Sequence, residues 1–194
     1  MIDLYNVEDI SIRFKNVDGT LLRPFAESIE RYRIEMLKIY ENDDRLLELY
    51  NLCRRLFWRM LSSFSSYKKL ISEEILQQIF KQCYTLEKSH SSFYKRYVLP
   101  ILKEIKVLLE NDSNELKSLV CEHINSVARI GDRIAIVTKK AIPNGDKLIL
   151  HNTLRDIFKV RYYTENSFRK SIDTYKFIFF IGNPSYFSNA FKTT

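Results

Sequence analysis

Along the first two thirds of the chain, apolar residues return every three or four positions, the period of a helix with one buried face. Ile29, Tyr32, Met36, Leu37 and Tyr40 predict a helix over 25–41. Asn42, Asp43 and Asp44 supply a cap and first-turn acids for a second helix running to about Phe64. Its stripe is Leu46, Leu49, Tyr50, Cys53, Phe57, Met60 and Leu61. The polar stretch 62–69 reads as a break. Ser72, Glu73 and Glu74 then open a third helix striped by Ile75, Leu76, Ile79, Phe80, Cys83 and Tyr84, with a loop at 88–92. A fourth helix carries Tyr94, Tyr97, Val98, Ile101, Leu102, Ile105 and Leu108. Pro100 must kink it or open a fresh first turn. Asn111, Asp112 and Ser113 read as the cap of a fifth helix striped by Leu116, Leu119, Val120, His123, Ile124 and Val127.

Two regions depart from this period. At the start, Ile10, Ile12 and Phe14 alternate with polar residues, and Asp18-Gly19 followed by Leu21-Leu22 reads as a hairpin. Beyond 129, short apolar runs replace the stripes: Arg133–Val137, Lys159–Tyr163 and Lys176–Ile181, the last reading as a fully buried strand. Helical segments at 147–158 and 165–171 separate them, after a turn at 143–146. Strand, helix, strand, helix, strand at this spacing predicts two βαβ units and a parallel sheet. A further helix is expected at 185–191.

The fold class is therefore α/β and helix-rich. A hairpin plus helical region over 1–128 precedes a small, three-stranded, parallel, Rossmann-like sheet over 129–194. Parallel sheets are normally wider and covered on both faces, so either the helices supply the covering or the chain is a piece cut partway through an α/β domain.

Composition sharpens this picture in three ways. No apolar run approaches the roughly 18 residues of a membrane span, and MIDLYNVED lacks the features of a signal peptide. Cys53, Cys83 and Cys121 are widely spaced, form no paired motif and fall on apolar stripes, which suits the cytoplasm. The net charge is +7, and from Arg129 onward 12 Lys/Arg face only 5 Asp/Glu. Charge concentrated in that part implies an anionic partner there.

Ligands of open parallel sheets bind beyond the carboxyl ends of the strands. Those ends hold Lys139, Lys140 and Asn144, then Thr164, Glu165 and Asn166, then Asn183 and Ser185. With Arg161, Arg169 and Lys170 they form the expected nucleic-acid or anion rim. Tyr162, Tyr163, Tyr175 and Tyr186 are interleaved with these cations, as in stacking clamps for nucleic acid. Arg54, Arg55, Trp58 and Arg59 make a second, weaker candidate, more simply read as a solvated helix face.

Catalytic signatures are missing. No Gly-rich phosphate cradle occurs, which excludes P-loop and ordinary dinucleotide-binding activities. His90, His123 and His151 are scattered without ligand-spaced partners, so no metal and no cofactor is expected. Ser185 follows Gly-Asn-Pro rather than a nucleophile elbow. Asp173 reads as a turn residue.

The segments DRIAIVTKKAI (132–142) and YKFIFFIGNPSYF (175–187), after a helical region, resemble the accessory α/β pieces of helicase-like phage-defence proteins, the DrmE type of the DISARM system. The resemblance covers the C-terminal third of the chain. It implies a role in bacterial defence against phage DNA within a multi-protein complex, with any motor elsewhere and no catalytic residue carried over. The leading expectation is thus a non-catalytic module that binds nucleic acid or other subunits. One alternative is an enzyme domain with a phosphate-ligand site around Lys139, Asn144, His151, Asn183 and Ser185. The other is a purely structural interaction module.

Overall fold

A computed structural model describes residues 19–40, 43–154, 159–182 and 187. Most of the expected hairpin, the expected helix at 185–191, and Asn183 and Ser185 lie outside the described residues.

The described chain begins with α1 (Leu22–Ile39). Leu21 and Leu22 thus lead into a helix and not along a hairpin strand. α2 (Asp44–Leu61) is capped as its acids foretell: the Asp43 carboxylate accepts hydrogen bonds from the Arg45 and Leu46 amides. A short α3 (Tyr67–Leu70) precedes α4 (Glu73–Ser89), whose first-turn amide at Ile75 donates to Ser72 Oγ. The expected loop at 88–92 is barely a break. After His90 the chain turns helical at once through α5 (Ser91–Phe93), a π-helical turn (Tyr94–Val98) and α6 (Leu99–Glu110). Pro100 explains that turn. It has no N–H and its ring clashes with an α-helical carbonyl one turn earlier, so the helix widens and the Leu99 N–H reaches back to the Tyr94 carbonyl.

α1 packs on α2 and α6, α2 on α4, and α4 on the π turn, closing a four-helix bundle. Its core takes most of the predicted stripes, among them Tyr32, Leu46, Leu49, Ile79, Ile101 and Leu108, adds Phe25 and Leu86, which no stripe included, and leaves Leu37 and Leu61 exposed. The third stripe was read too broadly. Phe80 and Tyr84 stand 55% and 61% exposed, because α4 turns only Ile79, Cys83 and Leu86 fully inward.

Asn111 closes α6 rather than opening the next helix; its side-chain amide donates to the Val107 carbonyl. Asn114 caps α7 (Glu115–Val127) instead, with Oδ1 accepting from the Lys117 amide. The buried residues Val120, Cys121 and Ile124 of α7 belong to the core under the sheet, whereas Leu108 of α6 belongs to that of the bundle.

β1 (Arg133–Thr138), α8 (Asn144–Leu154), β2 (Lys159–Thr164), α9 (Glu165–Arg169) and β3 (Phe177–Ile181) form the α/β unit. The three strands are parallel in the order β2-β1-β3, with Ile136 in register with Tyr162 and Phe179. The expected turn at 143–146 is instead the first turn of α8. One sheet face, Ile134, Ile136, Val160, Tyr162, Phe177, Phe179 and Ile181, packs under α7, α8 and Phe64. The other, Ala135, Val137, Tyr163 and Phe180, packs under Phe168 of α9, Tyr175 and Phe187. β3 is not fully buried as expected: Ile178 is 43% exposed. Among the described residues β3 has one neighbouring strand and only light cover on this second face.

Within the stretch 62–69, read as a polar break, Ser63 and Phe64 are buried and form a joint. Asp146 of α8 is 3% exposed and accepts from Ser63 Oγ (2.8 Å), the Phe64 amide (3.2 Å) and Ser65 Oγ (2.8 Å). Asn114 Nδ2 donates to the Ser63 and Ser65 carbonyls. Glu115 makes a second joint, accepting from Thr20 Oγ1, the Leu21 amide and the Tyr67 hydroxyl. Gly19 lies close to this joint, where a Cβ would sit 2.9 Å from Glu115 Oε2 and make that carboxylate shift.

No described helix is long and apolar enough to cross a membrane. The three cysteines are free and buried, and burial pushes the Cys83 thiol up to about 12 and raises those of Cys53 and Cys121. A thiol-specific chromogenic reagent at pH 8 is therefore expected to label none of them in the folded protein and all three in denaturant. Rapid native labelling of any one would contradict this burial.

Candidate nucleic-acid interface

α8 and α9 lie on opposite faces of the sheet, and the chain crosses from one side of β1 to the other between β2 and β3. That arrangement opens the crevice at the carboxyl ends of the strands. β1 ends in Thr138, whose hydroxyl donates to the Lys140 carbonyl at 2.6 Å and shapes the turn that presents Lys139 and Lys140. β2 ends in Thr164, which begins α9 with reciprocal bonds: its Oγ1 accepts from the Ser167 amide, and Ser167 Oγ accepts from the Thr164 amide.

The two ends meet at one carboxylate. Glu165, 9% exposed, lies 3.8 Å from Lys139 Nζ and 3.2 Å from an Arg169 guanidinium nitrogen. Lys140 follows Lys139 in sequence, and Lys170 follows Arg169 at the end of α9. Among the described residues no carboxylate pairs with Lys140 or Lys170. Two cations, Lys139 and Arg169, thus share the one carboxylate of Glu165, and Lys140 and Lys170 are their neighbours in sequence. Asn144, at the start of α8, accepts from Lys147 Nζ at 3.5 Å.

Arg161 does not join this rim. It points from the second sheet face to Asp173, as does Arg133. Asp173 Oδ1 accepts from Arg133 (2.9 Å), and Oδ2 accepts from Arg161 (2.9 Å) and from the Tyr163 and Tyr175 hydroxyls (both 3.1 Å). The two hydroxyls are also in contact with each other, and since each carries one proton, when one donates to the other only one donates to Asp173. Asp173 is thus the centre of a cluster rather than a plain turn residue. Its role was hidden because its partners lie 40 and 12 residues away in sequence. His151 lies in the last turn of α8, away from the strand ends. Tyr162 packs into the core with its hydroxyl pushed up to about 12 by burial. The His123 ring meets Phe179 edge-on. Lys176 pairs with Asp132 at 3.0 Å. Arg54, Arg55 and Trp58 share an open groove of about 620 Å³ with Asp44 and Glu48. That surface mixes both signs, so it is not a basic patch.

Hydrogen bonds from Arg133 hold the Asp173 carboxyl below the usual carboxylate range, helped by Tyr163, Tyr175 and the Arg161 charge. Asp132 is lowered by the Arg129 amide and by Lys176. A carboxylate depressed in the folded state stabilises the protein above its unfolded value near 4 and ceases to as pH falls through its folded value. Stability is expected to drop as pH is lowered past about 4, and Asp173→Asn should flatten part of that drop in denaturant titrations.

Among the described residues no group of three or more His, Cys, Asp or Glu could hold a metal. The class defined by fold and site is an α/β protein: a four-helix bundle joined by buried polar contacts to a small doubly wound sheet with a basic carboxyl-end rim. No family model, no curated protein and no solved structure matches this chain.

Proposed function

We propose that this protein is a non-catalytic binding module whose basic strand-end rim holds the phosphate backbone of nucleic acid. The observation that carries the reading is that Lys139 and Arg169 share the one carboxylate of Glu165, with Lys140 and Lys170 next to them in sequence. Flexible cations at a strand end suit phosphate contacts, which give affinity without reading sequence. A place in an antiviral defence complex rests on the sequence resemblance alone.

Fluorescence anisotropy with labelled single-stranded and duplex DNA tests the reading. Affinity should fall steeply between 50 and 200 mM salt, with a log–log slope of roughly −2 to −4 for two to four phosphate contacts. Absence of binding at the lower salt sinks the reading.

A second reading has its own observation. Phe80 and Tyr84 project from α4 one turn apart, with Lys88 stacked 4.0 Å over the Tyr84 ring. Exposed aromatics of this kind favour a protein partner on the bundle. Retention of a partner subunit by the wild type but not by Phe80→Ser/Tyr84→Ser would support it.

A further inference from the structure

We propose that Arg133, Arg161, Tyr163 and Tyr175 form a phosphate seat on the second sheet face, which Asp173 occupies as a displaceable stand-in. This inference does not rest on the rim reading, since none of these residues belongs to the rim.

Four donor side chains from three chain segments converge on one carboxylate. The match is poor in two respects. Two guanidinium charges face a single negative charge, so the cluster keeps a positive excess. Three of the four donors also crowd Oδ2, while Oδ1 accepts only from Arg133. A phosphate dianion corrects both, because it carries about two negative charges and three acceptor oxygens. Paired guanidiniums are the side chains best shaped to grip it.

The segment that carries the stand-in is lightly held. Asp173 sits in an irregular segment between α9 and β3, where its neighbour Ile172 is 99% exposed and buries almost no apolar surface. The Asp173 amide donates to Ser171 Oγ at 3.2 Å, a contact within the same segment. The segment is anchored at its two ends, by the Ser171 amide to the Phe168 carbonyl and the Lys176 amide to the Arg133 carbonyl. Asp173 can therefore swing outward without disturbing strand pairing. The Arg133 and Arg161 side chains are 42% and 63% exposed, so a ligand can reach them from solvent. Tyr163 and Tyr175 pack edge-on against each other and beside Phe168, which fixes the floor of the seat. A ligand with higher affinity for the outward state shifts the population toward it.

Calorimetric titration of the full chain with inorganic phosphate tests this, with AMP as a second probe. Asp173→Ala should bind phosphate on the order of tenfold tighter than wild type, and adding Arg133→Ala and Arg161→Ala should abolish the gain. A gain for inorganic phosphate alone identifies the free anion as the ligand. An equal gain for AMP identifies a phosphomonoester. Lys139→Glu/Lys140→Glu should leave the gain intact, which separates this seat from the rim. If Asp173→Ala does not fold by circular dichroism, Asp173→Asn takes its place with a smaller expected gain. A folded Asp173 variant with no gain, or a gain that survives loss of both arginines, overturns the proposal.

Discussion

Asp146→Ala is expected to destabilise the protein by about 3 kcal/mol, seen as a lower urea midpoint with little change in slope. Asp146 is a buried carboxylate of α8 that serves three donors in residues 63–65, more than 80 positions earlier. Truncation leaves the Ser63 hydroxyl and the Phe64 amide without their acceptor in a buried site, at about 1–3 kcal/mol for each group that water cannot reach. Ser65 is half-buried, so water can recover its bond. The loss also reaches the α/β core, because Phe64, 1% exposed, fills the space under the sheet from this same segment. A midpoint equal to wild type would show that the joint between bundle and sheet does not depend on this carboxylate.

The second large effect is on binding. Lys139→Glu/Lys140→Glu should weaken DNA binding by about tenfold or more at 100 mM salt, and should lower the salt slope by about two. Two phosphate contacts are lost and two repulsive charges are added. Glu165→Gln should act in the opposite direction, since it removes the one anion between Lys139 and Arg169. Opposite signs from neighbouring positions are hard to produce by misfolding. Circular dichroism should report unchanged helix content for both. Equal affinity for all three proteins would place any nucleic-acid contact away from the strand ends.

Much of the fold was legible because the local signals agree. The helix stripes predicted most of the bundle core, Asp43 and Ser72 predicted their caps, and the βαβ spacing predicted a parallel sheet. Legibility ended where a residue's partner is distant in sequence. The serines of 62–66 have the composition of a solvent loop, yet Ser63 and Ser65 face a carboxylate of α8. Asn114 rather than Asn111 caps α7 because its amide also bridges that loop, a tertiary bond with no local trace. The basic rim was partly legible. Spacing placed Lys139 and Lys140 at a strand end, and Arg169 and Lys170 in the helix after the second strand. It gave no sign that Arg161, on the opposite parity to Tyr162, turns to Asp173 instead.

The most direct test of the strand-end interface is an amide hydrogen-exchange footprint with and without a short single-stranded oligonucleotide at low salt. Slowed exchange confined to residues 138–147 and 164–170 is the predicted result. Slowed exchange confined to the α2 surface around Arg54, Arg55 and Trp58, with the strand ends unchanged, would contradict it.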